Sequence, residues 1–401
     1  MTLTVEQVVQ SNLCLGCGAC ANLPDVTMAL SERGFNRPTR PEALRAAPQP
    51  GLEAICSGHA IEQDAAGRPY DDTWGPMLEL WTGSSTDPEV RYRGSSGGVI
   101  SQLAIHLLES KAVDFVVHTR ADPEEPLGNV TSPSYNRTDI LSGAGSRYAP
   151  SSPLAELNAY LETGKQFAFI GKPCDVAALR RMAKVDLRID AQVPYMFSFF
   201  CAGVPSRFGA LAVLKKLEVE AAQVSKFEFR GRGWPGLTRA TRFDGTEATM
   251  DYNSSWGMML SRTLQFRCKI CPDGTGEFAD IVCADAWYGK DGYPDFEERD
   301  GRSMVLVRTE RGRALLREIE ACKLIELEPL DAGEIEKMQP YQRDRKRVIL
   351  ARLGALVVGR RKRPRYTGLR LAALAARSNP VWLAKNVLGT LRRLPSTPPG
   401  S

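Results

Sequence analysis

The stretch CLGCGAC places Cys14, Cys17 and Cys20 in a C-x2-C-x2-C ladder. With that spacing one loop can hand three soft, deprotonated donors to an iron-sulfur cube. Gly16 and Gly18 permit the tight backbone such a loop needs. A bacterial ferredoxin run would continue with x3-C-P, but position 24 is Pro24, so the fourth corner must come from elsewhere in the chain. Cys56, in AICSGHAI and 36 residues after Cys20, is the nearest further thiol, and neighbouring His59 competes with it for that corner. Zinc is the alternative occupant, although structural zinc sites commonly pair cysteines two at a time across a longer loop.

A second set lies further on: Cys174 in IGKPCDVAAL, Cys201 in FFCAGVPS, and Cys268 with Cys271 in FRCKIC. Four thiols make a complete coordination set, though the C-x2-C pair would equally serve as half a zinc site. Cys283, in ADIVCADAW, reads as a strand residue, and Cys322, ending the helical run EIEACK, reads as core. Ser95, Ser96, Gly97 and Gly98 open a helix whose backbone N–H groups could hold a phosphate or a flavin carbonyl, or could form a simple turn and cap. Arg147 beside Tyr148, and Lys172 beside Pro173, offer cation and stacking surface to the same ligand, or singly are solvated charges. The three histidines, His59, His106 and His118, read as structural residues, so no side chain is assigned as catalytic. That scarcity of acid–base groups suits chemistry carried by cofactors.

These residues need elements to position them. Gly97 to Glu109 repeats apolar residues at helical spacing, and AVDFVVHT follows as a buried strand. The rhythm recurs: QFAFIG (166–171) as strand, DVAALRRMA (175–183) as helix, VPYMFSFFCAG (193–203) as strand, RFGALAVLKKLE (207–218) as helix. KFEFR and MVLVRT are further strands, and Arg311 to Cys322 a further helix. This alternation specifies an α/β fold, and Cys174 and Cys201 fall where strands end, the edge at which ligands collect in open α/β sheets.

The chain's 401 residues suffice for two or three domains, and 43% apolar with 25% charged residues excludes a disordered bulk. The start, MTLTVEQVVQSNLC, lacks the basic and apolar runs of a secretory signal, so the cysteines are expected in a reducing cytoplasm. The longest apolar stretch, Ile349 to Gly359, is interrupted by Arg352 and about half the ~20 residues of a membrane span. Net charge is uneven: residues 341–401 hold fifteen Lys/Arg and one acid, giving +14, which leaves −9 on the rest of a chain whose total is +5. That tail reads either as solvated and partly disordered or as an interfacial helix meeting an anionic membrane surface or an acidic partner, with no nucleic-acid fold in support of a third reading.

The ordered series CLGCGAC with a later CSG, GSSGGVISQLAIHLLE, GAGSRY, IGKPCDVAAL, FCAGVPS, RCKIC and ADIVCADAW resembles the beta-subunit family of coenzyme F420 hydrogenases and dehydrogenases, over about Leu13 to Thr309. Two departures stand out: Arg147 where members often carry lysine, and Cys283-Ala284 before Asp285 where Gly-Asp is common. The resemblance implies an FAD-binding α/β core with a mixed sheet, preceded by a small ferredoxin-like module and followed by the basic helical tail. It implies two 4Fe-4S clusters, one on Cys14, Cys17, Cys20 and Cys56, the other beside the flavin on Cys174, Cys201, Cys268 and Cys271. The cofactor-binding residues expected are Ser95, Ser96, Gly97, Gly98, Ser146, Arg147, Tyr148, Lys172 and Pro173. The corresponding domains are 1–75 (ferredoxin-like), 76–160 (family amino-terminal FAD-binding region), 161–340 (family carboxyl-terminal domain with the second cluster) and 341–401 (basic amphipathic tail). The function implied is an oxidoreductase moving electrons between a ferredoxin or F420-type carrier and an organic substrate, or a non-catalytic subunit relaying them to a redox partner subunit. Such a protein is expected in the cytoplasm, free or peripheral at the inner membrane.

Overall fold

In a computed structural model, which describes residues 3–290 and 293–394, eight strands form one mixed sheet. Their spatial order is Ile325–Pro329, Glu79–Ser85, Ser303–Val307, Ile281–Asp285, Tyr195–Phe199, Phe167–Ile170, Phe115–Ala121 and Asn129–Ser134. The three contacts among Ile281–Asp285, Tyr195–Phe199, Phe167–Ile170 and Phe115–Ala121 are parallel, and the outer pairings are antiparallel. Strands from both 76–160 and 161–340 therefore share this sheet. Central strands such as Ser303–Val307 are buried along their whole length, which suits their continuous apolar runs. Asn129–Ser134 tolerates Pro133 because it is an edge strand and needs no donor there.

Each face of the sheet is covered. Val176, Leu179 and Met182 of the helix Pro173–Ala183 pack on one side, and Leu103 and Leu107 of Val99–Glu109 join Leu315 and Ile319 of Glu310–Ala321 on the other. A smaller antiparallel sheet, Val224–Glu228, Thr238–Arg242 and Glu247–Met250, packs against the helix Arg207–Lys216. Cys322 departs from expectation: it is exposed, not core. The helix buries Leu315, Leu316 and Ile319 but ends at Ala321, and the chain then turns through Lys323 (φ 57°) so that Ile325 takes the next buried position.

The basic tail also departs from the solvated, disordered reading. Pro340–Arg347, Ile349–Val358, Leu371–Ala376 and Pro380–Leu391 are helices, and Arg365–Thr367 pairs in parallel with Ala60–Glu62. Ile349, Leu353, Leu356, Leu369 and Leu371 form one apolar core with Val5, Val8, Leu13, Cys14 and Leu52. The cause is compositional: the arginines sit between leucines at helical spacing, so one face of each helix can be buried while the cations find acids or solvent. Residues 395–401 of that segment lie outside the described residues.

Candidate functional site

A cleft of about 270 Å³ opens at the carboxyl ends of the parallel strands, lined by Ile170, Phe199 and Asp285 and by the residues that follow them. Its size is close to the lower end of the ~300–1,000 Å³ typical of small-molecule sites. Of the residues expected at a cofactor, Ser95, Ser96, Gly98, Ser146, Arg147, Tyr148 and Lys172 line it. Gly97 does not; its N–H donates to Ser303 Oγ at 2.9 Å. Pro173 does not either, being buried at the first position of its helix.

The helix Val99–Glu109 begins at Gly98, which adopts φ 75° and provides no side-chain cap, and Gly98, Ile100 and Ser101 at that end line the cleft. Ser95 Oγ, on the same rim, is buried without a hydrogen-bond partner. Arg147 is fully engaged with the protein. It donates to Asn129 Oδ1 (2.9 Å) and to the carbonyls of Phe227 (2.6 Å), Pro126 (2.9 Å) and Gly128 (2.7 Å). It also lies 4.9 Å over the Phe229 ring, and burial lowers its pKa to about 10. Arg147 thus fixes the loop that presents Ser146 and Tyr148.

Sequence reasoning missed a wall of this cleft. Arg230, almost wholly buried, donates to both carboxylate oxygens of Asp285 (2.9 and 2.6 Å) and lies over the rings of Tyr252 (4.8 Å) and Trp287 (4.9 Å). Trp287 stacks on Trp234 at 4.8 Å, and Trp256 meets Tyr148 at 4.5 Å. Arg230 ends the strand KFEFR, and Trp287 stands two residues past Asp285 in ADIVCADAW; a cation and an aromatic just beyond strand ends were the available signals. Among the histidines, His106 meets Glu318 at 2.8 Å, His59 meets Glu53 at 3.4 Å, and His118, on the cleft, meets Ser134 Oγ at 2.7 Å.

The second thiol set borders the cleft. Lys172 Nζ contacts Asp175 Oδ2 (2.7 Å) and Ser151 Oγ (2.9 Å), while Asp175 Oδ1 is buried without a partner. Against burial, which would discharge it, Asp175, Cys174 and Cys201 raise the Lys172 pKa. Cys201 lines the cleft; its thiol is pushed up to about 12 by burial and then by Cys268, with Arg345 and Lys172 pulling the other way and Cys271 adding to the rise. Burial likewise raises Cys174, to which Asp175, Cys201 and Cys271 add. Val204 N–H donates to Cys268 Sγ at 3.4 Å. All four thiols therefore share one neighbourhood. Arg267, fully buried, holds the carbonyl of Ser57 (3.2 Å) and lies 5.3 Å over Tyr366, with Nε and Nη1 unpartnered. Its charge acts on Cys271, Cys174 and Cys268, and also on Cys14 and Cys56.

The amino-terminal thiols gather round a separate cavity of about 30 Å³. Cys14, Cys17, Cys20 and Cys56 all line it, and the remaining lining residues are apolar or glycine. His59 is not among them. Gly16 (φ 75°) and Gly18 (φ 86°) supply the left-handed turns, and a Cβ on Gly18 would meet the Ala155 backbone nitrogen at 2.6 Å. Burial raises all four thiols, with Asp175, Cys56 and Cys14 adding to the rise at Cys17. The two sets adjoin: Ser57 Oγ donates to the carbonyl of Cys174 at 3.2 Å.

Comparison with known proteins gives a consistent picture. Two family models for the coenzyme F420 hydrogenase/dehydrogenase beta subunit match the chain, the one for its amino-terminal part over residues 80–158 and the one for its carboxyl-terminal part over 164–333. The coenzyme F420 hydrogenase subunit beta of Methanococcus voltae is 26% identical over 64% of this chain and 84% of its own length. The coenzyme F420-dependent sulfite reductase of Methanocaldococcus jannaschii is 23% identical over 85% of this chain and 51% of its own. The F420-dependent formate dehydrogenase subunit beta of the same organism is 24% identical over 59% of this chain and 58% of its own. This chain thus spans only about half the length of the last two. In fold it is similar to a chain of the F420-reducing NiFe hydrogenase complex from Methanosarcina barkeri, with a TM-score of 0.58 at 20% identity, covering 74% of this chain and 98% of that one.

Proposed function

Because the chain belongs to the coenzyme F420 hydrogenase/dehydrogenase beta-subunit family, we propose that it is an iron-sulfur flavoprotein oxidoreductase. In this reading it exchanges electrons between a ferredoxin or F420-type carrier and an organic substrate. One observation carries the reading: Lys172 and Cys201 line the cleft and also belong to the second thiol neighbourhood, so a ligand in the cleft lies against that set. When bound, FAD supplies hydride chemistry and, with two 4Fe-4S clusters, its division into single-electron transfers.

The residues fit these groups. Eight largely covered cysteines in two sets, once deprotonated, would need compensating positive charge, which a cluster would provide. Three thiols in one ladder suit a cube better than a lone zinc. Cys14, Cys17, Cys20 and Cys56 would ligate one cluster, and Cys174, Cys201, Cys268 and Cys271 the other. At the cleft, the open amino end of Val99–Glu109 with Ser95 and Ser96 would receive an anionic or carbonyl group. Tyr148, Tyr252, Trp256 and Trp287 exclude water and offer stacking surface, and Lys172 holds positive charge between cleft and thiols.

A second reading, a relay without its own substrate, is favoured by the relatives' names: the hydrogenase and formate dehydrogenase proteins are subunits. Anaerobic purification with iron, sulfide and flavin quantification tests the proposal. Eight iron atoms and one FAD per chain are expected, and a colourless, zinc-loaded protein would defeat it. Flavin reduction by ferredoxin or by reduced F420 then identifies the carrier, and turnover without any partner chain excludes the relay.

A further inference from the structure

Two groups stand out among the cations of the carboxyl-terminal segment. Arg343 and Arg347 pair with Glu336, Lys346 with Glu277, Arg365 with Glu62, and Arg370 and Arg377 with Asp72, all acids of the body. Arg360, Lys362, Arg363, Lys385, Arg392 and Arg393 are exposed and have no carboxylate partner among the described residues. The second group is gathered in space. Helices Ile349–Val358 and Pro380–Leu391 lie side by side, Arg352 Nε reaching Asn386 Oδ1 at 3.2 Å while Gly359 abuts Leu391 and Leu394. They run in the same direction, so the cations that follow the first helix meet those that close the second.

The same two helices leave apolar stripes uncovered. Ile349, Leu353 and Leu356 face the core. Outward lie Leu350, Val357 and Val358 on one helix and Val381, Ala384 and Leu388 on the other, each set at helical spacing. Val357, Val358, Val381 and Leu388 are 54, 69, 61 and 56% exposed. A face that binds protein draws on aromatic anchors and is depleted in lysine, whereas this one is aliphatic beside unpaired Lys and Arg.

We propose that this helix pair docks the protein on an anionic lipid bilayer, the stripes entering the boundary between headgroups and acyl chains and the cationic end meeting lipid phosphates. Charge complementarity selects this occupant and sets its orientation. The six unpaired cations are drawn to an anionic surface, which repels the −9 of the chain outside residues 341–401. No described helix is long and apolar enough to cross a membrane, so the pair lies on the surface.

Flotation of the full chain with phosphatidylcholine vesicles, with or without an equal share of phosphatidylglycerol, tests this. Binding to the mixed vesicles alone, reversed by high salt, is expected. Val381→Asp with Leu388→Asp, and separately Arg392→Ser with Arg393→Ser, should each weaken it at least about tenfold at unchanged melting temperature. The arginine pair keeps the test decisive should the apolar variant misfold. Absence of flotation, flotation that neither salt nor these substitutions alter, or a self-association in solution that Val381→Asp abolishes would each overturn the proposal.

Discussion

The two thiol sets reach the same donor count by opposite routes. At the amino end, three of four thiols come from seven consecutive residues, and the cavity they face is otherwise apolar. At the sheet, Cys174 and Cys201 follow two adjacent parallel strands and meet Cys268, in the short helix Phe266–Lys269, and Cys271 just after it, among the charges of Lys172, Arg267 and Arg345. The locally specified set depends on other segments for its fourth thiol, Cys56, and its cover, whereas the set assembled by topology draws on three separate segments for its thiols. Only the second borders the cleft, through Cys201 and Lys172.

The largest expected effect separates the sets directly. Cys17→Ser should remove about half the iron and leave flavin content unchanged, whereas Cys268→Ser with Cys271→Ser should remove the other half and lower flavin content as well. Equal flavin loss from both, by iron analysis and absorption, would break the distinction. Next is the cover itself. Leu356 is 1% exposed in the core shared with Val5 and Leu13, so Leu356→Ala should cost about 2–4 kcal/mol. Hydrogen exchange should then quicken in residues 5–62 before it does in the strands Phe167–Ile170 and Ser303–Val307; uniform quickening would mean that both regions unfold as one unit.

The smallest effect concerns the sheet side and pH. Burial lowers the His118 pKa from 6.5 to about 4, with Arg120 assisting. The unfolded chain takes up that proton near pH 6.5 and the folded chain only near 4. The stabilisation is therefore complete above pH 6.5 and drains away as pH falls towards 4. His118→Asn should flatten the acid limb of a stability profile by about 2–3 kcal/mol; denaturant titrations at pH 7 and pH 4.5 compare the slopes.

Legibility in the sequence tracks the same contrast. The ladder Cys14, Cys17 and Cys20 announces itself because its spacing is local, and the strands at 167–170 and 195–199 because their runs are apolar and aromatic, broken only by Ser198. The wall of Arg230, Tyr252, Trp256 and Trp287 is invisible to periodicity, since those residues come from separate loops and strand ends and meet only once the sheet is laid down. Glu79–Ser85 and Ile325–Pro329, with Thr, Ser and Glu among their residues, are strands because neighbours complete their hydrogen bonds. The tail misled because its charge dominates its composition, while the order within it comes from apolar partners such as Val5, Leu13 and Leu52, far away along the chain, with acids such as Glu277 pairing its cations.

The parallel pairing of Arg365–Thr367 with Ala60–Glu62 bears on biosynthesis. Its two strands leave the ribosome some 300 residues apart, which at ~5–20 residues per second is on the order of 15 to 60 seconds. Throughout that interval residues 5–62 lack the cover that translation supplies last, so a prematurely terminated polypeptide would expose the apolar faces of Val5, Leu13 and Leu52 together with the neighbouring sulfhydryls.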